Sequence, residues 1–98
     1  MGGGKMKSII QEERECYLCG SQRDLEKHHV FGGPNRHWSE VYGLTVYLCH
    51  TCHNEPPFGV HHNAEAMQAL RQKVQRIAME HYGWSVEDFR AIFGRSYL

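Results

Sequence analysis

The alternation of apolar and polar residues divides the chain into a strand-bearing first half and a helical second half. Residues 25–31 (LEKHHVF) are apolar at both ends and suit a short strand. Gly32, Gly33, Pro34 and Asn35 break that pattern and predict a loop. Ser39 is placed to cap a single helical turn through Tyr42, which Gly43 ends. Residues 44–48 (LTVYL) are rich in β-formers and predict the clearest strand. Beyond residue 63 the period changes. Asn63 predicts the cap of a long helix over 64–82, with Met67, Leu70, Val74, Ile77 and His81 recurring on one face and Lys73 and Arg76 opposite. On that face His81 is expected to be packed, and Gly83 to close the helix. Ser85 with Asp88 predicts a capping box for a last helix over 86–93, apolar along Phe89, Ile92 and Phe93.

Residues 1–15 are polar and read as a flexible tail that starts at Gly2, Gly3 and Gly4, with at most a helical turn over 8–15. The remaining 16–98 form one domain, because 98 residues are too few for two. A chain of this length buries only about 60–65% of the surface it exposes when unfolded, so its core is modest. Eleven Lys and Arg balance eleven Asp and Glu. That neutrality argues against tight duplex binding by charge alone, though a local basic face is compatible with it. No apolar run approaches the roughly 18–20 residues that span a bilayer, and residues 1–7 lack the apolar stretch of a secretory signal. The expected location is cytoplasmic, where disulfides seldom persist. The four cysteines therefore need another use.

They fall in two pairs, Cys16-x-x-Cys19 and Cys49-x-x-Cys52. Each pair can offer two thiolates to one tetrahedral zinc ion at about 2.3 Å. The 29 residues between the pairs exceed the usual finger gap, and a hairpin over 25–48 would bring its ends back to the metal. A redox dithiol or four buried thiols are the competing readings. With sulfur at all four positions the zinc has no open site and serves as a structural staple.

Histidine is the anomaly in the composition. Eight occur, seven of them between His28 and His62. Adjacent strand residues point to opposite faces, so His28 and His29 cannot share one task. If the loop through Pro56, Pro57 and Gly59 folds back, His28, His53 and His61 can converge on one ion. Three neutral imidazoles leave coordination positions open, as catalytic sites do. His29 could then take a proton from an attacking water, since imidazole titrates near neutrality. Taken singly, each histidine is more often a solvated or core residue, and His37, His50, His62 and His81 are read that way.

The runs C-Y-L-C-G, L-E-K-H-H-V and L-C-H-T-C-H-N, followed by G-V-H-H-N, resemble the HNH endonuclease family. H-H-V-F-G-G-P-N-R with S-E-V-Y-G-L-T-V-Y-L-C is similar to its compact phage and prophage members. The resemblance covers residues 16–63 and implies an α+β fold: a small zinc-stapled ββα-metal core over 16–63, with two helices over 64–98. It implies a DNA phosphodiester hydrolase that leaves 5′-phosphate and 3′-hydroxyl ends. By position, His29 becomes the general base, and His28, His53 and His61 the ligands of a catalytic divalent metal. Cys16, Cys19, Cys49 and Cys52 hold a separate structural zinc. Mg²⁺, Mn²⁺, Ni²⁺ and Zn²⁺ are all candidates for the catalytic ion.

Two positions depart from the family. Gly43 and Leu44 stand where it carries its middle asparagine, leaving Asn35 and Asn54 as substitutes, and the interval from His53 to His61 is long, with His62 a competing ligand. Arg36, in the loop after His29, could hold a phosphate with its guanidinium fork or equally be a solvated arginine. Trp38 and Tyr42 could stack on bases or pack against the hairpin. DNA is the expected partner, RNA remaining open, and a homodimer or second protein could supply grip and specificity. The alternative reading is a non-catalytic zinc-ribbon module that binds nucleic acid or protein. Such a module needs only the cysteines.

Overall fold

The computed structural model describes residues 7–98, and the glycines expected to start a flexible tail lie outside them. Strands β1 (Leu25–His29) and β2 (Thr45–Cys49) pair antiparallel, with Leu25 opposite Cys49 and His29 opposite Thr45. Four helices follow the chain order α1 (Arg36–Tyr42), α2 (His50–Asn54), α3 (Ala64–Tyr82) and α4 (Val86–Phe93). The architecture is a small mixed α/β unit whose two-stranded sheet carries helices at both ends of β2. Among the described residues no helix is long and apolar enough to cross a membrane.

β1 stops two residues earlier than its sequence pattern suggests. Ser39 is the cause. Its hydroxyl accepts from Phe31 N–H at 3.1 Å and donates to Phe31 C=O at 2.7 Å, so both ladder groups of Phe31 are taken. Ser39 was expected to cap a single turn, but it lies buried inside α1, which begins three residues earlier after a 3-10 turn over Gly33–Asn35. Phe31 is thereby held in the core, where its ring centroid lies 5.0–5.3 Å from those of Phe89, Phe93 and Tyr97.

Residues 7–15 do not form the loose tail or the helical turn read from their polarity. Ser8 Oγ donates to Thr45 C=O at 2.5 Å, Ile9 N–H donates to Gly43 C=O at 2.9 Å, and Gln11 Oε1 accepts from Tyr47 N–H at 2.9 Å. The segment straps the outer edge of β2, with Ile9 and Ile10 against the core. Gly43 makes room for it. A Cβ there would come within 2.5 Å of Lys7 C=O, and its φ of +72° disfavours a side chain in any case.

The two long helical expectations match the structure at both ends. Asn63 accepts from Ala66 N–H, Gly83 closes α3, and Ser85 with Asp88 forms the capping box of α4. Each such cap is worth about 1 kcal/mol. The inner face of α3 differs in detail. Met67, Leu70, Val74 and Ala78 are buried, Ile77 is half-buried, and His81, expected to be packed, is exposed. The face turns instead through Gln75, a buried amide that donates to Ser96 Oγ at 2.9 Å and accepts from Tyr97 N–H at 2.8 Å. With both ends satisfied, its burial carries no orphaned polar group.

Candidate metal centres

The hairpin register does the first work of assembly. Pairing Leu25 with Cys49 brings the start of β1 beside the end of β2. The knuckle that precedes β1 docks there through Tyr17 N–H to Tyr47 C=O at 2.8 Å, and Gly20 N–H closes its turn onto Cys16 C=O. Cys49 ends β2 and Cys52 lies on α2, so all four sulfurs gather within 4.8 Å of one another. Cys19 Sγ and Cys49 Sγ are 3.7 Å apart. Four thiolates at zinc–sulfur distance on a tetrahedron would be separated by about 3.8 Å, so the spacing fits a zinc ion. Burial pushes the Cys16 thiol up, but the backbone N–H groups of Cys49, Cys19 and Leu18 outweigh it and bring the pKa down to about 6. Burial and the neighbouring sulfurs push Cys52 the other way. Four sulfurs this close cannot all ionise without a cation between them.

The second cluster takes one ligand from the same short helix, α2. His28 projects from β1, His53 from α2 and His61 from a 3-10 turn over Val60–His62, with ligand atoms within 4.8 Å of one another. Ring centroids are 5.0 Å apart for His28 and His53, 5.3 Å for His28 and His61, and 4.7 Å for His53 and His61. His53 Nε2 and His61 Nε2 approach to 3.0 Å, near the separation of about 3.3 Å that two imidazoles on one tetrahedral zinc would show. His62, exposed on the same turn, is not part of the cluster.

His28 supplies the sharpest test of fit. It is 3% exposed, and its Nε2 is the one buried side-chain polar atom without a hydrogen-bond partner among the described residues. An orphaned buried nitrogen costs roughly 1–3 kcal/mol, and a cation on its lone pair would satisfy it. Burial, with His53 and His61 facing it, lowers the His28 pKa to about 3. Burial likewise lowers that of His61. Both rings are thus held in the neutral form that a metal requires.

A carboxylate that the sequence reading overlooked stands behind this cluster. Glu26 Oε1 accepts from His53 Nδ1 at 2.8 Å and from Asn54 Nδ2 at 3.0 Å, and Oε2 lies 3.0 Å from His50 Nδ1. Hydrogen bonds from His53 and His50 lower the Glu26 pKa to about 2. Its grip on Nδ1 turns His53 Nε2 towards His61. Carboxylates in this place fix the tautomer and orientation of metal-bound histidines. Strand alternation carries a signal for it, since Glu26 and His28 share one face of β1.

His29 points to the opposite face, as strand geometry requires. Its Nε2 lies 2.9 Å from Glu40 Oε2, and Glu40 Oε1 accepts from Lys27 Nζ at 2.6 Å. Arg36 and His37 line the same open cleft with Lys27, His29 and Glu40. Neither Asn35 nor Asn54, the two expected substitutes, hydrogen-bonds to His29 among the described residues. Asn35 Nδ2 donates to Phe93 C=O and ties the loop to α4, and Asn54 belongs to the Glu26 network. Trp38 is exposed and stacks on Tyr42, which packs in turn against Tyr82 and Trp84.

Compared with known proteins, the chain matches no family model, no curated protein and no solved structure. The reading of these centres therefore rests on their own chemistry.

Proposed function

We propose that this chain is a metal-dependent endonuclease of the HNH, ββα-metal type that hydrolyses DNA phosphodiester bonds. The observation that carries the reading is the pairing of a three-histidine cluster, orphaned at His28 Nε2, with a separate imidazole on the other face of β1. Four sulfurs suffice for a structural zinc. The histidines need a second purpose.

In this reading His28, His53 and His61 hold a divalent cation by their ring nitrogens, and Glu26 fixes the His53 ring. When bound, the cation supplies Lewis-acid stabilisation of a phosphate oxygen and of the departing oxygen. His29 takes the proton from the attacking water, and Arg36 holds a phosphate beside the cleft that it shares with His29. Cys16, Cys19, Cys49 and Cys52 hold the staple and take no part in chemistry. The neutral net charge leaves grip on the duplex to local cations and to a second copy or a partner protein.

A zinc-ribbon module without catalysis accounts for the cysteines and leaves the buried His28 nitrogen with no task. The two readings separate in a plasmid assay with Mg²⁺, Mn²⁺, Ni²⁺ or Zn²⁺ added. The endonuclease nicks supercoiled DNA, stops in EDTA, and loses at least about 100-fold of its rate in His29→Ala, the lower range for an acid–base group. Binding to the plasmid without cleavage under every metal supports the ribbon module instead.

A further inference from the structure

We infer that Glu40 is the positioning residue of His29, holding the ring with its proton on Nε2 and so leaving the Nδ1 lone pair free. The inference rests on the endonuclease reading for the use made of that lone pair. It rests on geometry for the rest.

Three observations carry it. Glu40 is set by its neighbour. Ser39 is buried and bonded at its hydroxyl to both backbone groups of Phe31, which fixes the rotation of α1 and turns the next side chain towards β1. Second, the Glu40 carboxylate stays ionised, because the Lys27 hydrogen bond holds its pKa below the usual carboxylate range. An ionised carboxylate only accepts hydrogen bonds. The 2.9 Å contact with His29 Nε2 therefore requires the proton to sit on that nitrogen, and a neutral imidazole has only one. Third, His29 Nδ1 makes no hydrogen bond among the described residues, nor is it one of their buried orphaned atoms. The His29 side chain is 15% exposed and lines a cleft edged by Arg36 and His37.

Lys27 makes the arrangement directional. Its ammonium has donors only, and it occupies Glu40 Oε1. In Glu40→Gln the new amide must turn its oxygen to Lys27, which presents the NH₂ group to His29 Nε2. That nitrogen must then accept, and the proton moves to Nδ1. A substitution of almost identical shape thus inverts the tautomer, whereas Glu40→Ala merely releases the ring. A residue that only fills space would show the reverse order, with the isosteric change harmless.

The test is long-range ¹H–¹⁵N correlation of the histidine rings in the zinc-loaded protein, read together with plasmid nicking. The expected result is Nε2–H for His29 in the wild type, Nδ1–H in Glu40→Gln and a mixture in Glu40→Ala. Nicking falls by about 10²–10⁴-fold in Glu40→Gln, the scale for an enzyme left with the wrong histidine tautomer or lacking a supporting carboxylate. It falls less in Glu40→Ala. Adding Lys27→Met to Glu40→Gln frees the amide to turn back, restoring Nε2–H and part of the rate. A protein that nicks DNA but keeps one His29 tautomer in all variants overturns the role of Glu40 and leaves the endonuclease standing. The expected tautomers in a protein that cuts nothing uphold the role and remove the endonuclease.

Discussion

Cys52 and His53 are consecutive on α2, yet they serve different clusters: the Cys52 sulfur joins Cys16, Cys19 and Cys49, and His53 joins His28 and His61. One helix of five residues therefore supplies a residue to each cluster. Its ends are held by Cys49 at the end of β2 and by the carboxylate of Glu26 on β1. Disturbing the sulfur cluster should be felt by the histidines, and the reverse should not hold.

The staple is expected to dominate. Structural zinc binding is worth about 10–16 kcal/mol in small finger domains, as much as the whole stability of a domain this size. Cys49→Ser should lose zinc, unfold the hairpin and take the histidine cluster with it, as elemental analysis and circular dichroism will record. His53→Ala, by contrast, should keep one zinc per chain and its melting curve. A Cys49→Ser protein with wild-type zinc content and melting contradicts the four-sulfur site.

Glu26 is expected to act on the second cluster alone. Loss of a carboxylate behind a metal-bound histidine typically costs 10–100-fold in affinity or activity. Glu26→Ala should weaken binding of the second divalent ion by that factor in calorimetric titration of zinc-loaded protein. Zinc content should stay the same. Equal affinity in variant and wild type would show that His53 is oriented by something else.

Gly59 sets the return of the chain from His53 to His61. A Cβ there would lie 2.7 Å from Glu55 N and 2.9 Å from Asn54 N, both rigid backbone atoms, although its φ of −61° suits any residue. Gly59→Ala should therefore push the 3-10 turn away from α2 and separate His61 from His53. Second-ion binding is expected to drop while the main melting transition moves little. Unchanged binding would place the third ligand elsewhere.

Phe31 ties the hairpin to the C-terminal helices through Phe89, Phe93 and Tyr97. Phe31→Ala should cost about 3–5 kcal/mol, the range for emptying a buried phenyl site. Urea unfolding of the zinc-loaded protein measures it, and a loss under about 1 kcal/mol would mean that α4 docks independently.

Much of this architecture is legible in the sequence, for identifiable reasons. α3 and α4 are long enough to show a period and carry their own caps at Asn63, Gly83 and Ser85. The hairpin follows from two β-rich runs that must return both cysteine pairs to one place. The three-histidine cluster follows from strand alternation at His28 and His29 and from a loop rich in proline and glycine. What escapes is set by partners distant in sequence. α2 is five residues, too short for any period, and the strap over residues 7–15 is fixed by edge hydrogen bonds that polar side chains do not announce. Glu26 and Glu40 read as solvated charges until the fold shows which imidazole each faces. His81 falls on the apolar period of α3 and is nonetheless exposed, the buried face running through Gln75 and Ala78 instead.

An endonuclease of this kind requires that the three imidazoles hold a cation. The direct measurement is titration of zinc-loaded protein with Co²⁺ or Ni²⁺, followed by native mass spectrometry, for the wild type and for His28→Ala and His61→Ala. One further ion per chain is expected in the wild type, none in either variant at the same concentration, and the structural zinc retained in all three. A second ion that survives both substitutions, or none in the wild type, contradicts it.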